Sequence, residues 1–318
     1  MRKSLKHIFL LTLAALTPDF LHADQSCQAN QICSGSRRAF ATTLPKESLC
    51  EVGARYRIPC ERIWKSPRPH YEEFLKTRDE PVHSEAPYLI EPHTHHIWFA
   101  HTKTPQEIPL ANLAFFEQSL EFYADHFTHH LWLNTKSLTP KTLERLANFQ
   151  TPVVIHEISE ISEKFITESY FTRFLKHNKI EYATGLAKQE ILLQYGGLYV
   201  GWEFEQEQDV KPYFKKYNAL HFIWKKRELE DEILGASRGA NFLKESLNLV
   251  NNLASILENM KNPPDPATLM GLPGWHLWRF AWALERKPTT SVGFFHPNED
   301  FTLHDNGLFQ KTIRSFKK

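Results

Sequence analysis

Acidic side chains recur at every second position after a short apolar run, and they are the residues best suited to bind a metal ion. In a strand that continued through this run, one face would carry Gly201, Glu203, Glu205, Glu207 and Asp209. Glu203 and Glu205 would then form an E-x-E pair of hard oxygen ligands, which suits Mn²⁺ or Mg²⁺. An acidic, solvent-exposed loop without a metal is the alternative that this pattern leaves open.

The elements before this run predict where the acids lie. Residues 182–205 read YATGLAKQEILLQYGGLYVGWEFE. The apolar spacing predicts a helix over 183–195, and Gly196 and Gly197 predict its end, because glycine readily adopts the left-handed conformation that closes helices. Residues 198–200 follow as a short strand. The acids are therefore expected at the carboxyl edge of a sheet, where open α/β folds bind ligands.

Short apolar strands alternate with helices along much of the chain. Strands are predicted at 97–100, 131–133 and 153–155, and helices at 113–123, 140–148, 162–177, 241–260 and 275–284. This alternation indicates an α/β fold with a mostly parallel central sheet flanked by helices. Hydrophobic residues make up 42% of the chain and the net charge is +1, so a globular fold is expected and nucleic acid is not an expected partner.

Two segments carry patterns that are known from one enzyme family. Residues 91–100, EPHTHHIWFA, are similar to I-P-K-x-I-H-x-I-W-F-G. The pattern A-x-x-S-D-x-x-R-x-x-x-L-x-x-Y-G-G-x-Y-x-D-x-D is matched at Ala183, Leu192, Tyr195, Gly196, Gly197 and Tyr199. On these motifs, residues 85–318 resemble glycosyltransferases with a DXD sugar-binding region, a family that includes mannosyltransferase-like enzymes and the catalytic domains of large clostridial toxins. The resemblance implies a GT-A-like nucleotide-sugar transferase fold and a retaining reaction.

The chain departs from the family pattern at residues that bind the donor. The family's helix Asp corresponds to Gly185, its Arg to Lys188, and the two acids of DXD to Gly201 and Glu203. Lys188 keeps the positive charge but loses the bidentate fork of arginine. By resemblance, Gly185 and Gly201 lie in the nucleotide-sugar site and Lys188 helps to neutralise the diphosphate. Glu203, with Glu205, would hold a divalent cation that offsets charge on the leaving group.

Two aromatic residues complete the site that the resemblance implies. Trp98 corresponds to the tryptophan that stacks on the uracil base in toxin-like members, and Tyr199 corresponds to a position beside the nucleotide. A core tryptophan and a buried strand tyrosine are the ordinary structural interpretations of the same residues. The sequence leaves both interpretations open.

The chain begins with the three-part pattern of a secretory signal over residues 1–23. A positive start is followed by the apolar run IFLLTLAAL and then by Leu21-His22-Ala23, which predicts cleavage before Asp24. The apolar run is shorter than the roughly 20 residues that span a bilayer, so export is favoured over a membrane anchor. No later segment predicts a membrane span, and a soluble mature protein is expected.

The region between the signal and the glycosyltransferase-like domain, residues 24–84, is predicted to be loop-rich because prolines interrupt it repeatedly. It contains all four cysteines of the chain, Cys27, Cys33, Cys50 and Cys60. In an exported protein, an even and clustered set predicts two disulfides, although three pairings are possible. Free thiols or a metal site are the alternatives.

Histidines form two clusters that could bind zinc. These are His93, His95, His96 and His101, and the helically spaced set His126, His129 and His130. Because no H-E-x-x-H pattern occurs, ordinary core or surface roles are the favoured interpretation.

Residues 235–239, GASRG, match the G-x-S-x-G elbow of serine hydrolases and would make Ser237 a nucleophile, with Asp300 and His304 as its partners. The acidic residues before this segment predict a poor buried strand, so a hydrolase is disfavoured. The glycosyltransferase resemblance accounts for the same segment as a strand end before a helix.

The function expected from the sequence is an exported glycosyltransferase. It would move a sugar from a UDP- or GDP-linked donor to an acceptor that the sequence does not identify, with a host molecule as one hypothesis. The alternative is a non-catalytic relative that binds carbohydrate, nucleotide or a protein, which the glycines at 185 and 201 favour.

Overall fold

The computed structural model of the chain describes a central domain and several shorter segments. The described residues are 68–77, 80, 85–100, 106–121, 123, 126–135, 138–202, 204–206, 209–224, 228–258, 292–295 and 301–303. Several predicted features lie outside them: the signal segment, the four cysteines, His101, Glu203, the helix at 275–284, Asp300 and His304.

A mixed sheet forms the centre of the fold. The described strands are β1 (His93–Trp98), β2 (Thr128–Leu133), β3 (Val153–Glu157), β4 (Gly197–Val200), β5 (Phe204–Gln206), β6 (Ala219–Trp224), β7 (Glu228–Ala236), β8 (Val292–Phe295) and β9 (Phe301–Leu303). The main sheet has seven strands in the order β3-β2-β1-β4-β7-β6-β8, while β5 pairs with β9. β1 to β4 run parallel, and only β7 within this sheet runs against its neighbours. The predicted α/β fold with a mostly parallel sheet is confirmed for the described residues.

Helices cover the two faces of this sheet. They are α1 (Arg68–Thr77), α2 (Leu110–Glu121), α3 (Pro140–Ala147), α4 (Ser159–Ser162), α5 (Glu168–Lys176), α6 (Ile180–Tyr195), α7 (Lys211–Lys216) and α8 (Asn241–Glu258). Among the described residues, no helix combines the length and the apolar character needed to cross a membrane.

The core has two layers because side chains alternate between the faces of a strand. On one face, Ile97, Trp132 and Tyr199 pack in a cluster with Leu186 and Ile191 of α6. On the other face, apolar residues of β2 pack against α2, forming a cluster with Leu113, Phe116, Leu120, Leu131 and Leu133. α6 is thus held directly on the sheet, and the strand that follows it is placed with little freedom.

β1 and β2 begin earlier than their apolar runs predict, at His93 and Thr128. Most of the added residues are polar but buried, and several of them hydrogen-bond to one another. For example, Thr94 Oγ1 and His129 Nδ1 lie 2.7 Å apart in a buried hydrogen bond. A reading of apolar periodicity misses such strands because polar pairs replace the expected apolar side chains.

The single helix predicted over 162–177 is wrong. α4 ends at Ser162 and α5 begins at Glu168, with turns between them. The break is fixed by Glu190 of α6, whose Oε1 accepts hydrogen bonds from the backbone N–H of Thr167 at 2.8 Å and from its hydroxyl at 2.9 Å. Burial raises the pKa of this Glu190 carboxyl, which remains tied to the turn.

The predicted loop-rich region before residue 85 contains a helix, α1, whose first turn holds Pro69. Proline is tolerated there because the first N–H groups of a helix have no partner within it. Phe74 of α1 is buried and packs edge-on against Tyr213, with ring centroids 5.9 Å apart. This helix therefore packs against the residues of the main domain.

Candidate functional site

Two glycines connect α6 to β4 and bring that strand against β1. Gly196 has a φ of 70° and Gly197 a φ of 103°, both in the region that favours glycine. His95 Nε2 donates to the carbonyl of Gly196 at 2.8 Å, and the Glu91 carboxylate accepts from the backbone N–H of Arg238 at 2.9 Å. The predicted helix stop is confirmed, and β4 continues in parallel beside β1.

The carboxyl ends of β1 and β4 meet at one edge of the sheet, where Trp98 and Trp202 are neighbours. Their ring centroids are 5.6 Å apart with an interplanar angle of 81°. Trp202 is buried, its Nε1 donates to the carbonyl of Ile97 at 2.7 Å, and its own carbonyl accepts from Asn112 Nδ2 at 3.1 Å. Trp202 thereby ties the turn after β4 to β1 and holds the Trp98 ring from one side.

Trp98 is only partly buried, and its indole Nε1 has no hydrogen-bond partner among the described residues. Tryptophan N–H groups that are buried usually find an acceptor. Trp202 covers one side of the Trp98 ring through an edge-on contact, and part of the Trp98 side chain stays exposed. The partly exposed aromatic face at this sheet edge is suited to stacking on a flat ligand such as a nucleobase, whereas the Nε1 atom is buried.

Lys188, predicted to neutralise phosphate, is buried with 3% of its side chain exposed. Its ammonium lies 3.8 Å from Oε1 of Glu232 and 5.4 Å from the ring centroid of Tyr199. The ion pair and the cation–π contact together compensate for the burial of the charge. Tyr199 is buried in the core and serves as the surface on which Lys188 rests.

β4 ends at Val200, so the continuous strand assumed for the acidic run is not formed. The backbone turns at Gly201, where Phe204 N–H donates to the Gly201 carbonyl at 3.1 Å. Glu205 lies in β5, which pairs with β9 in a separate ribbon, and so leaves the face of β4. Because the strand ends at this turn, the rule that residues i and i+2 share a face does not apply across it.

A divalent cation is implied by the resemblance, but the described residues do not fit one. Gly201 has no ligand atom, and the one described carboxylate beside it, Glu232, already faces an ammonium. Within the described part of the chain, no group of three or more His, Cys, Asp or Glu side chains could hold a metal. The assignment of Glu203 and Glu205 as cation ligands stays a prediction from sequence.

Gly185 lies on α6 three residues before Lys188, on the same side of the helix. A Cβ built at this position meets no atom within 4 Å. The helix therefore faces open space where the family pattern has an aspartate, and the space is compatible with a ligand in the predicted site.

The histidines of β1 and β2 are mostly core residues, as favoured from sequence. His95 accepts a hydrogen bond from Trp132 Nε1 at 3.2 Å and donates to Gly196, so both of its nitrogens are used. His130 bridges His93 and His156 through contacts of 3.2 and 2.9 Å. Burial is the largest cause that lowers the pKa of His130 to about 3 and that of His95 well below its usual value.

Ser237 has the strand and helix on either side that a nucleophile elbow needs, since β7 ends at Ala236 and α8 starts at Asn241. A strand does precede this segment, although the acidic residues predicted a poor buried strand. The elbow also requires a strained serine, yet Asn178 is the only non-glycine with positive φ among the described residues. Ser237 therefore lacks the backbone geometry of that nucleophile.

Three site residues were missed by sequence reasoning: Trp202, Asn112 and Glu232. Trp202 follows Gly201 directly, and the alternating acids around it form the stronger sequence pattern. Asn112 and Glu232 come from distant parts of the chain, and only the packing of α2 and the pairing of β7 bring them to this edge.

Solved structures of glycosyltransferase domains are similar to this chain. PaToxG glycosyltransferase is 14% identical over 69% of this chain and 77% of that chain, with a TM-score of 0.49. The UDP-bound glycosyltransferase domain of the YGT toxin is 8% identical over 66% and 80%, with a TM-score of 0.49. The catalytic domain of alpha-toxin from Clostridium novyi is 11% identical over 98% and 96%, with a TM-score of 0.43.

No protein-family model and no curated protein matches the chain. The identities to the solved structures are too low to speak to activity. Activity therefore has to be inferred from the chain's own residues.

Proposed function

We propose that this protein is an exported glycosyltransferase that moves a sugar from a nucleotide-diphosphate donor to an acceptor. The observation that carries the proposal is the Trp98 ring at the carboxyl end of β1, which is partly exposed and is held from one side by Trp202. It lies beside the turn at Gly201, the position that corresponds to the first acid of the DXD motif. A nucleobase can stack on the exposed part of this ring.

The other residues of the edge support the same assignment. Open α/β sheets bind ligands where the carboxyl ends of neighbouring strands meet, and β1 and β4 meet here. Gly185 leaves open space on α6, one helical turn from Lys188. The donor diphosphate would lie between the base on Trp98 and this part of α6, within reach of the Lys188 region.

Export follows from the predicted signal segment and shapes the choice of substrate. Nucleotide sugars are made in the cytoplasm, so an exported enzyme of this class needs a compartment that supplies the donor. We propose that the protein acts inside a host cell on a host molecule. Detection of the mature chain, starting at Asp24, outside the producing cell would test export.

Replacing Trp98 with alanine is expected to weaken nucleotide-sugar binding by about 10-fold or more, because stacking of a base on an aromatic ring is worth about 1–3 kcal/mol. Trp98→Phe keeps an aromatic face for stacking and should lose much less affinity for the nucleotide sugar. Calorimetric titration of both variants with UDP-sugars and GDP-mannose measures the effect.

Tyr88 lies away from this edge, packed edge-on against Phe127 at a centroid distance of 5.9 Å. Tyr88→Phe is therefore the matched aromatic control and should bind the donor as the wild type does. Equal affinity of Trp98→Ala and wild type would remove Trp98 from the site.

A further inference from the structure

Glu232 lies opposite Gly201 on the neighbouring strand, and Gly201 is the position that corresponds to the first acid of the family's DXD pattern. β4 and β7 are antiparallel, with Tyr199 opposite Leu234 and Val200 opposite Ile233. The next pair in this register is Gly201 and Glu232, and the Gly201 N–H donates to the Glu232 carbonyl at 2.8 Å. Residues directly opposite on paired strands project to the same face.

The face in question is the one covered by α6. Tyr199 and Leu234 belong to the apolar cluster on that face, whereas Val200 and Ile233 belong to the cluster on the other. The Glu232 side chain follows the first pair, and its contact with Lys188 of α6 confirms the direction. A carboxylate from β7 thus stands beside the position where Gly201 has no side chain.

Exposure separates the roles of the two charged partners. Glu232 retains 17% of its side-chain exposure, and Lys188 retains 3%. The carboxylate is therefore the member of the pair that a ligand can reach, while the ammonium lies beneath it on the Tyr199 ring. A carboxylate has two oxygens with several acceptor sites, so it can accept a hydrogen bond from a ligand in addition to its contacts within the protein.

The charge balance indicates which ligand group Glu232 receives. A divalent cation at this carboxylate would lie close to the Lys188 ammonium and be repelled by it. A neutral hydroxyl group meets no such repulsion and forms a charge-assisted hydrogen bond with the carboxylate.

We propose that Glu232 binds the sugar of the donor: its carboxylate replaces the side chain that Gly201 lacks and accepts hydrogen bonds from sugar hydroxyl groups. Lys188 is a positioning residue that holds this carboxylate. The inference rests on the proposed function, because it assumes a nucleotide-sugar donor at this edge. It shifts the predicted role of Lys188 from direct contact with phosphate to support of Glu232.

The test compares a nucleotide with its sugar derivative. Calorimetry measures the affinities for UDP, UDP-glucose, UDP-N-acetylglucosamine, GDP and GDP-mannose. For the preferred donor, the affinity of the nucleotide sugar divided by that of the bare nucleotide gives the contribution of the sugar. Glu232→Ala should weaken binding of that nucleotide sugar about 10-fold to 100-fold and change binding of the bare nucleotide less than about 2-fold. Glu232→Gln keeps the shape and one acceptor oxygen, and an intermediate loss is expected.

Two further variants and a metal measurement complete the design. Lys188→Met should reproduce the sugar-selective loss, since the carboxylate loses its partner. Glu107→Gln removes an exposed carboxylate that pairs with Lys141 at 3.6 Å and should have no effect. Mn²⁺ binding, followed by electron paramagnetic resonance, should be the same in Glu232→Gln and wild type.

Each alternative result has a distinct meaning. Equal losses for nucleotide and nucleotide sugar in Glu232→Ala, or no loss in either, would overturn the role of Glu232 and leave the proposed function standing. Loss of Mn²⁺ binding in Glu232→Gln would make Glu232 a cation ligand and also overturn it. Failure of the wild type to bind any of the five compounds would overturn both the inference and the proposed function.

Discussion

Gly197→Ala is expected to destabilise the protein by about 3 kcal/mol or more, because it combines a forbidden backbone conformation with a collision against another strand. The φ of Gly197 is 103°, and a Cβ there would lie 2.6 Å from the His93 carbonyl oxygen and 3.0 Å from His95 Nε2. The carbonyl belongs to β1 and cannot move without disturbing the parallel pairing that forms the site. Urea unfolding followed by circular dichroism measures the loss.

Two other glycines provide matched controls for this substitution. Gly239 also has a positive φ, 74°, but a Cβ there meets no atom within 4 Å, so Gly239→Ala should cost only the backbone strain, about 1–2 kcal/mol. Gly185 is helical and uncrowded, and Gly185→Ala should stabilise the protein by about 0.5–1 kcal/mol. Similar losses at Gly197 and Gly239 would show that the close approach of β4 to β1 is not as described.

Acidification from pH 7 to pH 5 is expected to remove several kcal/mol of folding stability. Burial lowers the pKa of His96 and His130 to about 3, and that of His129 and His221 to about 4. Between these values and the ordinary pKa near 6.5, the unfolded chain binds more protons than the folded one. Stability is therefore complete above about pH 6.5 and falls as the pH drops toward 4.

At pH 5, each of these histidines lowers the free energy of unfolding by about 2 kcal/mol relative to pH 7, because the unfolded chain binds its proton more tightly. The four losses together approach the whole stability of an ordinary domain. Urea unfolding midpoints measured at intervals between pH 7.5 and 4.5 show how folding stability depends on pH. His96 packs between Phe116 and Trp202, with ring centroids 4.3 and 5.5 Å away, so an apolar residue suits its place. His96→Leu should make the unfolding free energy less dependent on pH, by the amount that corresponds to about one proton bound on unfolding.

A midpoint that does not vary between pH 7 and pH 5 in the wild type would contradict the buried, neutral state of these four histidines. A flat profile in the wild type would also require a different packing of β1 and β2.

The parts of the fold that the sequence predicted well depend on local signals. The stop at Gly196 and Gly197 and the start of α3 at Pro140 follow from backbone chemistry that a few residues determine. Thr139 adds a side-chain cap at that start, accepting from Thr142 N–H at 3.3 Å. The alternation of strand and helix was strong enough to predict the sheet.

The parts that could not be predicted depend on partners far apart in sequence. Thr167 breaks a helical pattern because Glu190, in another helix, binds its N–H and hydroxyl. The acidic run turns away after Val200, so spacing alone misplaced Glu205. Glu232 comes beside Gly201 only through the antiparallel register of β7, which no local pattern reveals.

Calorimetric titration of the mature protein with UDP-sugars and GDP-mannose, with and without Mn²⁺, tests the central claim most directly. Saturable binding of at least one nucleotide sugar, weakened in Trp98→Ala, is the predicted result. A requirement for Mn²⁺ would support the sequence prediction that Glu203 and Glu205 hold a cation. Absence of binding to every donor under both conditions would contradict a glycosyltransferase site and favour a non-catalytic protein with this fold.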